Sequence, residues 1–462
     1  MTFQRIRFFT IRKNKKEGLI MNYKSYMLNN FKSIPQVQNL SEDLIEAIEI
    51  VGSVLPFKTN NYVVENLINW VRVPNDPIFT LTFPRKEMLL PHHYKRIEKL
   101  VKNKAPKSEI KAAANEIRLE LNPHPAGQIE HNVPMIEGEK LFGMQHKYRE
   151  TTLFFPSQGQ TCHAYCTFCF RWPQFVGMDD LKFASKQAEH LVDYLREHKE
   201  VTDVLFTGGD PLIMKTKHLE YYIRPLIDAN IENLRNIRIG TKALGYWPYR
   251  FITDDDAEDL LKLFEDVKKA GKHLAFMAHF NHPVELEGEI VSEAIKRILK
   301  TGAVIRTQSP LLKHINDDPT VWADMWKKQV ALGCIPYYMF IARNTGAQHY
   351  FSIPLVDAWK LFREAYKLVS GICRTVRGPS MSALPGKIQV LGVTEINNQK
   401  AIALRMIQGR NSDWAAKPFF AEYDANAIWY TDLNPAFGEE KFFFQEELDK
   451  ILQPDEIEVD FE

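Results

Sequence analysis

The sequence predicts an α/β protein built on an open, partial (β/α)6 barrel, with a helical N-terminal region and a small β-rich C-terminal segment. From Thr151, short apolar or β-rich runs alternate with amphipathic stretches. The predicted strands are 151–157, 203–207, 235–241, 273–280, 303–308 and 335–342, and the predicted helices are near 183–198, 216–229, 254–270, 287–301, 319–333 and 354–370. Strands separated by helices at this spacing indicate parallel βαβ units. Six units are too few for a closed eight-stranded barrel.

The flanking segments have different patterns, so we divide the chain into three parts: 1–150, 151–372 and 373–462. In the first part, Ser41 is a candidate N-cap for a helix, 92–121 holds two more helical patterns, and 122–135 is a Pro-rich loop. In the third part, 387–394, 400–407 and 427–431 are β-rich, and an acidic tail from Gly438 is interpreted as a solvated terminal helix with an apolar face.

Composition excludes several classes of protein. The 59 Lys and Arg residues nearly cancel 58 Asp and Glu residues, which gives no support to a nucleic-acid or membrane-surface role. The sequence contains no run of 18 apolar residues that would predict a membrane span. Five cysteines cannot form a disulfide framework, so we expect a reducing, cytoplasmic location. The basic segment 1–20 resembles a transit peptide, but we favour an over-long start with translation beginning at Met21.

Three cysteines lie in one short loop directly after the first predicted strand. Cys162, Cys166 and Cys169 have the spacing C-x3-C-x2-C, at the expected C-terminal mouth of the barrel. Three thiolates can hold three irons of a 4Fe-4S cluster and leave the fourth iron open to a small molecule. A zinc site would require a fourth ligand, and His163 is poorly placed for it. Three inert, buried cysteines are the other alternative.

This loop, with Phe168 before the last cysteine, resembles the radical S-adenosylmethionine (SAM) signature, and the turn 206–211 resembles the glycine-rich turn of that superfamily. More specifically, the chain is similar to the lysine 2,3-aminomutase family over about 140–395. The similar segments are 146–149, 238–241, 279–283, 308–312, 315–317, 336–338 and 385–388. The resemblance implies a 4Fe-4S cluster and a SAM site that contains Gly208, Gly209, Asp210, His279 and Gln308. It also implies an electron donor such as flavodoxin or ferredoxin, and it leaves a homo-oligomer open.

The resemblance further implies pyridoxal 5′-phosphate (PLP) on Lys387, which would form a Schiff base. Lys147, Tyr148 and Arg149 match the family's basic-Tyr stretch and would bind the phosphate. Most of the glycines that precede the family's lysine are missing here, and only Gly386 remains. The alternative is that Lys387 is an ordinary exposed lysine.

The expected substrate is an α-amino acid. Arg171 occupies the position that pairs with the substrate's α-carboxylate in the family. Arg343 and Ser380 stand where lysine-acting members carry two aspartates, so lysine would meet a like charge and no partner. An acidic side chain would complement Arg343. The alternative is that Arg343 faces solvent and the pocket holds an uncharged side chain.

These patterns predict a 2,3-aminomutase, an isomerase that moves the 2-amino group of a small-molecule amino acid to carbon 3. No structural zinc is expected, because the loop Asn316-Asp317-Asp318 lacks the cysteine that some lysine-acting members use. The alternative function is a radical SAM enzyme without PLP that acts on another small molecule or a peptide. A non-catalytic iron–sulfur or zinc protein is the third hypothesis.

Overall fold

The structure is a computed structural model that describes residues 21–453, so the predictions for the first 20 residues lie outside the described residues. The helices are α1 Glu42–Val54, α2 Pro77–Thr82, α3 Pro91–Lys102, α4 Lys107–Glu120, α5 Ala188–Glu197, α6 Thr216–Asp228, α7 Ala243–Tyr246, α8 Ala257–Lys269, α9 Glu289–Lys300, α10 Pro319–Ala331, α11 Gln348–Phe351, α12 Leu355–Lys367 and α13 Gln445–Leu452. The strands are β1 Ser25–Met27, β2 Lys58–Asn60, β3 Met135–Ile136, β4 Glu139–Lys140, β5 Met144–Tyr148, β6 Thr151–Phe154, β7 Asp203–Phe206, β8 Asn236–Thr241, β9 His273–His279, β10 Val304–Leu311, β11 Ile335–Ile341, β12 Arg377–Ser382, β13 Gly386–Ile396, β14 Gln399–Gly409 and β15 Pro418–Glu422.

One large sheet organises the chain. Strands β5 to β15 pair in sequence order, and all neighbours from β6 to β12 are parallel. Strand β5 is antiparallel to β6, and β13 to β15 continue the sheet as antiparallel strands. Because successive parallel strands are joined by helical crossovers, their carboxyl ends lie at the same edge of the sheet. We call that edge the rim.

The six strands and six helices predicted between 151 and 370 are all present, with ends shifted by a few residues. Strand β12 is a seventh parallel strand that the sequence did not predict, because Gly378 and Pro379 interrupt its β pattern. Strands β5 and β15 also went unpredicted, and β5 joins the sheet although it precedes residue 151.

The β-rich prediction for 427–431 is wrong, since a 3-10 turn spans Tyr430–Asp432 there. The carboxylate of Asp432 accepts the backbone N–H groups of Ile428 and Trp429, each at 3.0 Å. This local hydrogen bonding competes with strand pairing at these residues.

Two hydrophobic cores lie on either side of the rim. One contains the sheet, the helices of the crossovers and the C-terminal strands. The other joins the N-terminal helices to residues that follow the strands, such as Ala164, Tyr246 and Leu312. The N-terminal region therefore covers the rim. None of the helices in residues 21–453 is long and apolar enough to cross a membrane.

Candidate active site on the rim

The loop that carries the three cysteines follows β6 and is held by the N-terminal region. Lys58 on β2 donates from Nζ to the carbonyl of Cys162 at 2.7 Å, and its own carbonyl accepts the N–H of Tyr165 at 2.8 Å. The N–H of Thr167 donates to the carbonyl of Leu81 at 2.9 Å. These contacts fix the backbone on both sides of Cys166.

The three thiols share one environment. Burial raises the pKa of Cys166 to about 11 and that of Cys169 to about 12, and it raises the pKa of Cys162 well above its ordinary value. Repulsion from neighbouring thiolates adds to the shifts of Cys162 and Cys169. The loop therefore holds neutral thiols at neutral pH unless a metal takes up the thiolates.

The spacing of the sulfurs tests which metal centre fits. A tetrahedral zinc site with 2.3 Å bonds places neighbouring sulfurs about 3.8 Å apart. Within residues 21–453, the only close set of three potential ligand groups, with all atoms within 4.8 Å, is His92, His93 and Glu120 in the N-terminal helices. The three cysteine sulfurs therefore do not all lie within 4.8 Å of one another, which is wider than a single tetrahedral zinc ion requires. Three thiolates are the donor set that an iron–sulfur cluster takes.

The glycines after β7 are explained by close backbone packing. Gly208 has a φ of +120°, and a Cβ there would lie 2.4 Å from the side chain of Gln160. A Cβ on Gly209 would lie 2.5 Å from the backbone of Thr161. The turn therefore packs directly against the segment that enters the cysteine loop.

Asp210 ties two strand ends together. It is buried, and its carboxylate accepts hydrogen bonds from Leu212 N, from Thr241 Oγ1 and from Lys242 N at 2.8–3.0 Å. Its backbone N–H donates to the carbonyl of Thr161 at 2.7 Å. The carboxylate is thus already used within the protein, and it joins the ends of β7 and β8 to the cysteine loop.

His279 and Gln308 lie opposite each other on β9 and β10. The ring of His279 stacks on Phe168 of the cysteine loop, with centroids 5.7 Å apart. Its Nδ1 is buried without a hydrogen-bond partner, and burial lowers the pKa of His279 to about 3. A neutral imidazole with an unused nitrogen therefore lies beside the cysteines, available to a ligand.

Lys387 is partly buried rather than exposed. It faces Ser382 across β12 and β13, and its Nζ lies 3.1 Å from Gln408 Oε1 and 3.5 Å from Tyr338 Oη. Burial, with the charge of Arg238, lowers the pKa of Lys387 to about 8. A substantial fraction of its amine is therefore neutral near physiological pH, which is the form that attacks a carbonyl.

The cations near Lys387 or the cysteine loop include these four: Lys147, Arg171, Arg343 and Arg410. None of the four forms an ion pair within 4.0 Å among the described residues. Arg343 Nη2 and Arg410 Nε each donate, at 2.9 Å, to the carbonyls of Ser382 and Leu384, and Lys147 Nζ donates to the carbonyl between them. Three cations thus bind three successive carbonyls just before Lys387.

The guanidinium groups of Arg171 and Arg343 both lie near one aromatic ring, that of Phe170. Their guanidinium carbons lie 4.9 Å and 4.7 Å from the centroid of Phe170. The Nε atoms of both arginines are buried without partners. Burial lowers the pKa of Arg171 to about 9, with repulsion from Arg343 as the next cause, and burial lowers the pKa of Arg343 to about 10. Among residues 21–453, no carboxylate pairs with either arginine. We call Lys147, Arg171, Arg343, Lys387 and Arg410 the cation pocket.

The structure does not bring every residue predicted for the site together. Tyr148 is partly buried beside Lys387, whose Nζ lies 5.4 Å from the centroid of the tyrosine ring, and desolvation raises the pKa of Tyr148. Arg149, by contrast, is exposed and contacts Glu150. Ser380 is fully buried, and its hydroxyl donates to the carbonyl of Met339 at 3.3 Å.

Several residues of the site were not predicted from the sequence. Besides Lys58 and Arg410, these are Asn60 and Tyr246, which contact the cysteine loop, and the buried pair Lys242–Glu285 behind it. Asn60 and Tyr246 lie 186 positions apart. Nothing in local spacing indicates such contacts, because they depend on how the N-terminal region covers the rim.

Comparison with known proteins identifies the family. No family model matches the chain. A putative L-lysine 2,3-aminomutase of Aquifex aeolicus is 31% identical over 405 residues, covering 88% of this chain and 95% of the relative. A glutamate 2,3-aminomutase of Clostridioides difficile is 29% identical over 211 residues, covering 46% of this chain and 47% of the relative. A radical SAM methyltransferase structure from Sphaerobacter thermophilus gives a TM-score of 0.36 at 13% identity, covering 63% of this chain and 94% of that one. The chain therefore belongs to the lysine 2,3-aminomutase family, a family of isomerases.

Proposed function

We propose that the protein is a radical SAM, PLP-dependent 2,3-aminomutase that moves the 2-amino group of an amino acid with an acidic side chain to carbon 3. The observation that carries the proposal is the cation pocket, which links the cysteine loop to Lys387. Arg171 follows Cys169 by two residues, and its guanidinium lies against the ring of Phe170, as does that of Arg343. Arg343 in turn lies beside Tyr148 and Lys147. We also propose that β6 to β11 form the open, partial (β/α)6 barrel of 151–372 and that 1–150 and 373–462, which contains β12, are the flanking parts.

On this proposal, Cys162, Cys166 and Cys169 hold three irons of a 4Fe-4S cluster, and SAM binds at the open iron. When bound, the cluster and SAM supply the radical that removes a hydrogen atom from the substrate. Gly208 and Gly209 let the β7 turn approach the cysteine loop closely. Asp210 positions that turn, while His279 and Gln308 present polar groups from the next strand ends.

Lys387 is the residue proposed to hold PLP. When bound, PLP supplies a covalent carrier for the migrating amino group. The Lys387 ammonium lies 5.4 Å from the ring centroid of Tyr148 and 4.7 Å from that of Tyr338. Lys147 and Arg410 are the proposed phosphate donors, since Arg149 points to Glu150. The burial of Lys387 and its lowered pKa favour this function over a radical SAM enzyme without PLP.

The acidic side chain of the proposed substrate is inferred from the positive charge of the cation pocket. We propose that Arg171 binds the α-carboxylate and Arg343 the side-chain carboxylate. Each guanidinium is desolvated and has an unpartnered Nε, so a carboxylate would restore the lost hydrogen bonds. The ammonium of lysine would add a further charge of the same sign to a buried group of cations. A family relative named glutamate 2,3-aminomutase is consistent with this substrate class.

The test is anaerobic reconstitution with iron, sulfide and PLP, followed by reaction with SAM, a reductant and a panel of amino acids. We expect 5′-deoxyadenosine together with a 3-amino product from an acidic substrate, identified by mass spectrometry. Cys169→Ala should remove both products, whereas Lys387→Ala should remove only the 3-amino product. Formation of 5′-deoxyadenosine without any 3-amino product in the wild type would favour the function without PLP.

A further inference from the structure

Tyr246 contacts the cysteine loop from the end of β8, two strands along the sheet from β6. It is the last residue of α7, which follows β8, and only 1% of its surface is exposed. Its Oη lies 3.3 Å from Cys166 Sγ, within hydrogen-bonding distance for sulfur. This is a contact between the side chain of a distant segment and a proposed iron ligand.

Asn60 fixes the distance between Tyr246 and the loop. Its Nδ2 donates to the carbonyl of His163 at 3.1 Å and to that of Tyr246 at 3.0 Å. Its Oδ1 accepts the N–H of Val63 at 3.0 Å, and the residue is fully buried. One amide therefore joins the cysteine loop to the helix that carries the tyrosine, so the contact with Cys166 is part of a built arrangement.

The direction of the hydrogen bond follows from the chemistry of iron binding. Between a thiol and a phenol, either group can donate. Iron is bound by the thiolate, which has no proton to give. Tyr246 must then be the donor, because a phenol carries its proton at neutral pH. The ammonium of Lys242 lies 4.4 Å from the centroid of the ring and is paired with Glu285, which holds the ring in place.

We propose that Tyr246 donates a hydrogen bond to the Cys166 thiolate and thereby raises the reduction potential of the iron–sulfur cluster, an inference that rests on the proposed function. Reduction adds one electron, supplied by the external reductant, and hence one negative charge to the cluster and its thiolates. A hydrogen bond to a ligand sulfur stabilises the more negative state more strongly than the oxidised one. Tyr246 is thus a positioning residue that acts through Cys166.

The test compares the midpoint potential of reconstituted wild type with that of Tyr246→Phe, measured by redox titration with electron paramagnetic resonance. We expect the ratio of reduced to oxidised cluster at a fixed potential to fall about tenfold, which corresponds to a midpoint about 59 mV more negative. Tyr165→Phe is the matched control, because its hydroxyl lies 2.9 Å from Thr161 Oγ1 rather than a sulfur. Its midpoint should equal that of the wild type. An unchanged midpoint in Tyr246→Phe would overturn the proposal.

A second substitution keeps the hydroxyl in place. With 3-fluorotyrosine at position 246, the phenol is a stronger donor, so we expect a midpoint above that of the wild type. A midpoint at or below the wild-type value would contradict the proposal even if Tyr246→Phe failed to fold. Iron and sulfide analysis of the wild type separates the two levels of inference. A wild type without a cluster overturns the proposed function itself, whereas a cluster insensitive to Tyr246 overturns only this inference.

Discussion

The part of the rim around the cysteine loop lies next to the cation pocket, but the two regions differ in whether their charged groups have partners. Around the rim, Lys242 is paired with Glu285, and Asp210 accepts four hydrogen bonds. In the pocket, Arg171 and Arg343 have no acidic partner among the described residues and keep unpartnered Nε atoms. At the rim, these charged groups have partners within the protein, whereas in the pocket Arg171 and Arg343 have no acidic partner among residues 21–453.

The difference shows what each region requires from a ligand. Buried groups without hydrogen-bond partners or counter-charges cost free energy, which a ligand of the right chemistry recovers. In the pocket, that ligand would be anionic, and the proposed function names the phosphate of PLP and the carboxylates of the substrate. At the rim, the recoverable cost is that of deprotonating three buried thiols, which metal binding offsets. Variants in the two regions should therefore fail in different ways.

The largest effect is expected from the cysteines. Replacing Cys162, Cys166 or Cys169 with Ala should abolish 5′-deoxyadenosine formation, because an iron loses its thiolate. Cys334→Ala is the control, since Cys334 is buried in the sheet core and should leave the cluster intact. The measurements are iron and sulfide content and 5′-deoxyadenosine yield. A triple Ala variant that still binds about four irons, as a 4Fe-4S cluster would, and cleaves SAM would contradict the assignment.

The next effect concerns the buried ion pair behind the rim. Glu285→Gln keeps an oxygen for the N–H groups of Asn281 and His282 but leaves Lys242 unpaired. We expect the free energy of unfolding to fall by about 3–5 kcal/mol, and the double variant with Lys242→Met to recover most of this loss. The measurement is urea unfolding of the protein.

An exposed pair provides the matched control for that experiment. Lys328 and Glu287 form an ion pair at the surface, where Glu287 is 55% exposed. Glu287→Gln should change the free energy of unfolding by no more than about 1 kcal/mol. Equal losses from Glu285→Gln and Glu287→Gln would show that the pair behind the rim is not structurally important.

The selectivity of the pocket should change with Arg343. Arg343→Asp replaces the cation proposed to meet an acidic side chain with an anion that suits lysine. We expect the ratio of kcat/KM for glutamate to that for lysine to fall about tenfold to a hundredfold, the range of one charged hydrogen bond. Ser380→Asp is not included, because Ser380 is fully buried. The exposed Arg374→Asp is the control and should leave the ratio unchanged.

The smallest effect is a pH dependence at Lys387. Its amine attacks the aldehyde of PLP only when neutral, so the rate of PLP attachment should rise with pH through about 8, below the ordinary lysine value of 10.5. The measurement is the mass of the iron-free protein after PLP addition and borohydride treatment at pH 6 to 10. Lys387→Ala should show no attachment at this site. A midpoint near 10.5 would mean that Lys387 is not buried as described.

The sequence predicted much of this fold because local patterns determine it. The strands β6 to β11 are short, regular runs bounded by amphipathic helices, so periodicity identifies them. Strand β12 was missed because glycine and proline, here Gly378 and Pro379, are rare inside strands. Pairing with β11 and β13 nevertheless holds this segment in the sheet.

The residues of the candidate site also fall into two groups, those in local motifs and those with distant partners. Cys162 to Cys169 and Gly208 to Asp210 are short motifs, so their spacing identifies them without a structure. The sequence did not indicate Tyr246, Asn60 or Arg410, because their partners lie far away in the chain. Asn60, for example, contacts His163, which is 103 positions later, and Tyr246, which is 186 positions later. Only the packing of the N-terminal and C-terminal segments against the rim brings them into place.

The measurement that tests the central claim most directly is competitive turnover of L-glutamate, L-aspartate, L-lysine and L-alanine by the reconstituted wild type under anaerobic, reducing conditions. The 3-amino products are quantified together by mass spectrometry. The cation pocket predicts that an acidic substrate is consumed first and that lysine is the poorest of the four. Preferential conversion of lysine would contradict the account, because it would require a partner for the lysine ammonium among side chains that are themselves cations.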